Sequence, residues 1–250
     1  MKIIDFYYFS GTGNTFLIVR RMAEVFKKSG VETRLARIES ANRRDLDTTH
    51  ALGIAFPVAG WYTYPFVQKF IESLPAVSGT PVFLAATMAG SCLGLMGGLR
   101  KLLEDKGYKP AGAKVFVMPS NLLIIEKDEV ARKKVAKGLR RAERFARQIL
   151  IGKAKWKRIP FLSDFSLVLG RKIWKLNWQM LGVDTSLCSR CRLCLKLCPV
   201  SNIRMGEYPE HQGRCEYCMR CISFCPNQAI TFWKKHVKTY KAVKAEALLD

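Results

Sequence analysis

Long hydrophobic runs are missing from these 250 residues. No stretch reaches the roughly 18–20 uncharged apolar residues that span a bilayer, so the sequence excludes a transmembrane helix. Acidic residues are scarce, 20 against 42 Lys and Arg. The resulting charge of +22 favours an acidic partner or an anionic surface. Histidine is rarer still: His50, His211 and His236 are the only three, and none falls in a chemical constellation. No nucleophile paired with a general base is visible. The first residues, Met1-Lys2-Ile3-Ile4-Asp5-Phe6, set an acid inside a short apolar run. They read as a core strand rather than a signal peptide, and a cytoplasmic location is expected.

Cysteine, by contrast, is abundant, with nine residues. Cys188, Cys191, Cys194 and Cys198 precede Pro199, and Cys215, Cys218, Cys221 and Cys225 precede Pro226. Both runs are C-x2-C-x2-C-x3-C-P. Metal-ligand spacing without an export signal argues for metal over disulfides. Zinc typically uses two separated pairs. Three cysteines at x2 spacing instead wrap one corner of a cubane, and the x3 step carries the fourth cysteine to the other cluster. The expected ligand sets are therefore Cys188, Cys191, Cys194 and Cys225 for one 4Fe-4S cluster, and Cys215, Cys218, Cys221 and Cys198 for a second.

Upstream, residues 1–126 repeat a short apolar run, a Gly-containing turn and a helical period. The runs are Ile3–Phe9, Thr33–Ile38, Ala51–Val58, Val82–Met88 and Lys114–Met118. Continuous apolar strands alternating with helices predict a doubly wound five-stranded parallel sheet covered on both faces. The helix after the fifth strand has Ala131, Val135, Leu139, Ala142, Ala146 and Ile149 on its apolar stripe. Lys133, Lys137, Arg140, Arg141, Arg144 and Arg147 lie on its other side. Sixteen basic and five acidic residues fall in 127–186, so +11 of the +22 sits in that quarter of the chain. The stretch 152–186 reads as a basic amphipathic connector. Phe165, Val168, Leu169, Ile173, Leu176 and Met180 share one face, with Trp174 and Trp178 one turn apart. It is expected to pack between domains or to touch a membrane surface.

Between the first strand and its helix stands Ser10-Gly11-Thr12-Gly13-Asn14-Thr15. Hydroxyls and backbone N–H groups at a helix N-terminus form a nest for phosphate. Phe16 replaces the third Gly of a dinucleotide fingerprint, and the Lys of a P-loop is absent. A monophosphate held by neutral donors suits this loop.

These residues resemble the flavodoxin FMN-phosphate loop, (S/T)-x-T-G-N-T, and with the five strands the resemblance covers about residues 1–150. It implies the strand order 2-1-3-4-5 and FMN at the carboxyl end of the sheet. It also implies that Ser10, Thr12, Asn14 and Thr15 hold the phosphate. Two further loops would flank the flavin ring. The first is Pro57-Val58-Ala59-Gly60-Trp61, with Trp61 against the ring and Gly60 facing the flavin N5. The second is Thr87-Met88-Ala89-Gly90, which continues through Ser91 to Cys92. It has no aromatic, which departs from the family pattern and leaves one flavin face open. Cys92 reads as a small buried thiol.

The cysteine repeat resembles a bacterial-type ferredoxin with two 4Fe-4S clusters. The implied architecture is thus α/β, a flavodoxin-like sheet over 1–151, then the connector 152–186. A small α+β dicluster ferredoxin domain over 187–232 and a basic tail over 233–250 follow. Both halves together resemble the flavodoxin–ferredoxin fusion proteins of anaerobes, in which Met118-Pro119-Ser120-Asn121 also looks familiar. Three functions compete. The leading one is an electron carrier between FMN and the clusters, served by an acidic redox protein. The others are a small-molecule reductase at an open flavin face, and a redox-sensing adaptor on nucleic acid or membrane. Nucleic acid is not the expected partner, and the oligomeric state is left open.

Overall fold

The computed structural model describes residues 1–42, 46–90, 92, 94–121, 125–158, 163 and 180–249. The expected amphipathic helix of the connector, over 165–178, lies outside them.

Five parallel strands form the first domain: β1 (Ile3–Tyr8), β2 (Glu32–Arg37), β3 (Ala51–Pro57), β4 (Pro81–Met88) and β5 (Lys109–Val117), in the order β2-β1-β3-β4-β5. Alternate residues point to opposite faces, as strand geometry requires. Tyr7, Phe9, Leu52, Ile54, Phe56 and Leu84 pack under α2 (Pro65–Glu72) and α3 (Leu95–Asp105). Ile4, Phe6, Phe83, Ala85 and Phe116 pack under α1 (Asn14–Lys28) and α4 (Asp128–Leu150). Gly53 is paired with both Phe6 and Phe83. A Cβ there would lie 2.6 Å from each ring, so glycine lets the two phenylalanines meet edge-on at 5.1 Å. Each fully buried phenylalanine contributes roughly 1.5–3 kcal/mol.

β5 begins five residues before the apolar run that predicts it. Its first half, Lys109 to Ala113, pairs with β4 across a bulge between Val82 and Phe83. An irregular edge of this kind carries no continuous apolar signature. The stretch after α4 continues along this edge. Ala113 N–H donates to the Lys155 carbonyl, and buried Trp156 donates its indole N–H to the Met96 carbonyl at 2.7 Å. Along α4, Ala131, Ala142, Ala146 and Ile149 are buried as expected, joined by Gly138 and Phe145, while Val135 and Leu139 are half-buried.

The cysteine-rich region is small and α+β. β6 (Leu181–Val183) pairs antiparallel with β9 (Ile230–Phe232), and β7 (Ile203–Met205) with β8 (Pro209–His211). Two short helices, α5 (Leu193–Leu197) and α6 (Arg220–Phe224), follow the second cysteine of each run and contain the third. β6 falls within the stretch read as connector, because three residues are too short to announce a strand in sequence. The segment read as a basic tail packs against both domains: Leu248 is fully buried with Leu197 and Phe224 of the cysteine-rich region, and its carbonyl accepts from Arg37 of β2 at 2.7 Å. No helix among the described residues is long and apolar enough to cross a membrane.

Candidate redox site

At the carboxyl end of the sheet lies a cleft of about 260 Å³. It is lined by Ser10, Gly11, Thr12, Asn14 and Thr15, by Pro57, Val58, Ala59 and Gly60, and by Thr87, Met88 and Ala89. Ser10, Thr12, Thr15 and Thr87 are almost wholly buried. The first N–H groups of α1 have no partner within the helix and make that end electropositive. Ser10 Oγ accepts from the N–H groups of Gly13 (3.2 Å) and Phe16 (3.3 Å), which sets the loop's curvature. Gly13 caps α1 with φ +106°, a conformation costly for residues with a Cβ. Thr15 and Thr87 share a hydroxyl hydrogen bond at 2.8 Å. The donor set is neutral and suits a monophosphate.

The C-terminal segment closes the outer side of this loop. Ala242 N–H donates to the Thr12 carbonyl at 2.7 Å, and the Tyr240 hydroxyl donates to Asn14 Oδ1 at 3.1 Å. Asn14 Nδ2 reaches the Pro119 carbonyl at 2.9 Å.

Trp61 is placed differently from its sequence expectation. Ala59 and Tyr62 exchange backbone hydrogen bonds, and Gly60 and Trp61 between them have φ of +56° and +60°. That is a tight two-residue hairpin with both central residues left-handed. It turns Trp61 out of the cleft lining, half exposed, and the aromatic wall comes from Tyr64 instead. Gly13 and Gly90 also stand outside the lining, and Gly13 packs against Val243. Ser91 lies outside the described residues. Cys92 is half-buried against the core, and burial pushes its thiol upward.

Three groups complete the cleft: Tyr64 and Tyr217 with Met219 from the second cysteine run, which sequence reasoning left out, and Met118 to Asn121, which it noted without giving them a place in the site. The second run therefore borders the cleft beside its first loop and the start of α2. The signal was the identity of the residues between its cysteines, which spacing alone does not read.

The eight clustered cysteines surround two separate cavities. Cys198, Cys215, Cys218 and Cys221 line one, and Cys188, Cys191, Cys194 and Cys225 line the other. Each set combines three thiols of one run with the last thiol of the other. Backbone geometry repeats between the runs. Arg190, Arg192 and Ser201 have φ of +57°, +61° and +49°, and Tyr217, Met219 and Gln228, at the same offsets, have +49°, +66° and +53°. Six non-glycine residues in this region each cost of order 1–3 kcal/mol, which persists where something compensates. The N–H of Asn202 points at Cys198 Sγ (3.1 Å) and that of Ala229 at Cys225 Sγ (3.2 Å), again at equal offsets. The thiols ring their cavities: no group of three His, Cys, Asp or Glu among the described residues is arranged for a single metal ion.

Burial pushes the Cys194 and Cys215 thiols up to about 11 and Cys218 to about 12, and burial beside the other thiols raises Cys221 well above the ordinary thiol range. Thiolates here need a bound cation, and a ring of four thiols suits an iron–sulfur group. His211 also borders the second-run cavity, with a buried Nε2 that has no hydrogen-bond partner.

The second run is docked on the first domain. A Cβ on Gly11 would lie 2.5 Å from the Cys218 carbonyl oxygen. Glu216 accepts the Phe66 N–H at the start of α2 at 3.1 Å, and burial pushes its carboxyl up to about 7. Tyr64 OH is raised by burial and by the neighbouring Cys218 and Glu216.

Fold and site define a flavodoxin-like domain joined to a ferredoxin-type region. Residues 208–231 match the 4Fe-4S binding domain family. Among solved structures, the chain is similar to the flavodoxin of Streptococcus pneumonia, at 14% identity and a TM-score of 0.45, over 60% of this chain and 98% of that one. The two-electron reduced flavodoxin of Megasphaera elsdenii matches at 20% identity and a TM-score of 0.42, over 55% and 98%. The flavodiiron protein of Giardia intestinalis matches at 17% and 0.39, over 62% of this chain and 38% of its own. The strand order gives the first domain a flavodoxin-like fold, and the family match gives the second region a 4Fe-4S binding sequence.

Proposed function

We propose that the chain is an electron-transfer flavo-iron–sulfur protein of the flavodoxin–ferredoxin fusion type, passing electrons between two 4Fe-4S clusters and FMN. One observation carries the reading: Tyr217 and Met219 line both the phosphate cleft and the cavity of Cys198, Cys215, Cys218 and Cys221. A single layer of side chains divides the two spaces.

The bound groups supply one-electron chemistry at each cluster and one- or two-electron chemistry at the flavin, so the protein's task is to hold and space them. Ser10, Thr12, Asn14, Thr15 and the first N–H groups of α1 hold the phosphate. Pro57 to Gly60, Tyr64 and Thr87 to Ala89 form the walls of the ring site. Tyr217 and Met219 exclude water between this site and the second-run cysteines. The first-run set, with Cys191 exposed, faces solvent and is the port for an external carrier. Exposed Arg140, Arg144, Arg147, Lys133 and Lys137 on α4 favour an acidic redox protein as that carrier. Coverage of the cleft by the ferredoxin-type region supports a carrier over a small-molecule reductase.

Anaerobic purification followed by iron, sulfide and flavin analysis tests this. The expected content is about eight irons and eight labile sulfides per chain, with non-covalent FMN. Thr12→Asp puts a carboxylate against the phosphate and is expected to abolish FMN binding. Recovery of FAD, or full FMN occupancy in Thr12→Asp, overturns the cleft assignment. About four irons per chain would overturn the second cluster.

A further inference from the structure

Arg220 lies between Cys218 and Cys221, yet its guanidinium, with the side chain 3% exposed, serves the other domain. Nε–H donates to the Ser10 carbonyl at 2.9 Å, at the first residue of the phosphate loop. One terminal nitrogen donates to the carbonyl of Leu197, the residue before Cys198, at 3.2 Å. The other meets Glu39 Oε1 at 2.6 Å, in the 3₁₀ turn Ile38–Ser40 after β2. The Phe9 ring lies 4.7 Å from the guanidinium carbon. One planar fork therefore ties together the segment holding Cys218 and Cys221, the approach to Cys198 and the start of the loop that cradles phosphate. Lysine, a single point charge, has no equivalent geometry.

We propose that Arg220 transmits assembly of the second cysteine set to the phosphate loop, so that cluster binding and flavin binding reinforce each other. The proposal rests on the functional reading above. Closing the cysteine loops around their cluster fixes the backbone of residues 218–221 and delivers the guanidinium to Ser10. The Ser10 carbonyl, thus held, keeps the loop's N–H groups turned toward the cleft. The same contacts run in reverse, because a coupling between two binding sites is reciprocal. Leu193 holds the equivalent position in the first run and carries no such fork. The linkage therefore belongs to one cluster only.

The test is the FMN dissociation constant, titrated anaerobically by flavin fluorescence, on cluster-loaded protein and on the same protein after iron chelation. Chelation is expected to weaken wild-type binding between about 5-fold and 150-fold, the usual range of coupling between sites. Loaded Arg220→Gln is expected to bind FMN as weakly as chelated wild type, with its own chelated state unchanged and Arg220→Lys in between. A merely structural role would weaken both states of the variant alike. Equal affinities in the two wild-type states, or an undiminished ratio in Arg220→Gln, overturn the proposal. Should Arg220→Gln not fold, Glu39→Gln removes the charge partner while keeping the guanidinium, and its ratio is expected to shrink; an unchanged ratio there overturns the proposal equally. Absence of flavin or iron from the wild type contradicts the functional reading itself, whereas both present without linkage sinks only the role of Arg220.

Discussion

Residues 188–198 and 215–225 carry the same cysteine spacing and turn left-handed at the same offsets, but their surroundings are opposite. Ser189, Arg190 and Arg192 of the first run are exposed. Their counterparts Glu216, Tyr217 and Met219, together with Arg220, are half-buried or buried against the α/β domain. The cysteines and left-handed residues set the shape of the loop. The residues between them decide what that loop faces: a carboxylate that caps α2, two side chains that wall the cleft at the carboxyl end of the sheet, and a buried arginine. Two copies of one motif thus acquire an inner and an outer role without any change of spacing.

Substitutions in the two runs sharpen this contrast. Arg220→Ala leaves Glu39, already with one buried oxygen lacking a partner, as an uncompensated buried charge. The expected destabilisation is about 3–5 kcal/mol. Arg192→Ala, on the exposed loop, is expected to stay within about 0.5 kcal/mol of wild type. The matched pair Glu216 and Ser189 should differ less. Glu216→Ala removes the acceptor at the start of α2 and is expected to cost about 0.5–2 kcal/mol, with Ser189→Ala near zero. Anaerobic denaturant titration measures all four, and equal costs across the two runs would erase the distinction.

A smaller effect is expected from the surface of α4. Electron transfer to an acidic protein carrier should slow as salt rises, since exposed charges are largely screened beyond about 10 Å at 0.1 M. It should slow again when Arg140, Arg141 and Arg144 become Glu. Association rate is expected to change more than affinity. Stopped-flow across ionic strength reads this, and a rate indifferent to both changes leaves α4 as a solvated face.

The five parallel strands were legible because continuous apolar runs mark buried strands, while their order came only with the flavodoxin resemblance; hydroxyls and glycines marked the tight loop at the start of α1. Sequence missed the early start of β5, where a bulge breaks the pattern, and β6, which is three residues long. Trp61 stands outside the cleft lining because its backbone turns at φ +60° in a hairpin, and an aromatic at a turn does not announce a left-handed backbone. Tyr64, Tyr217, Met219 and the packing of Tyr240 and Ala242 over the loop escaped for another reason. They are long-range contacts between segments up to 230 residues apart, joining Thr12 to Ala242, and no local period encodes them.

The central claim is that the cysteine set containing Cys198 adjoins the flavin, while the set containing Cys225 faces solvent. Cys198 and Cys225 are equivalent in spacing, each the last of its run, so replacing either with Ser is a matched perturbation. Flavin bleaching after anaerobic mixing with dithionite, a small reductant able to reach either set, is the direct measurement. The account predicts that Cys198→Ser, which breaks the set beside Tyr217 and Met219, uncouples flavin bleaching from the iron–sulfur signal, whereas Cys225→Ser preserves that coupling. Loss of coupling in Cys225→Ser with its retention in Cys198→Ser would contradict it.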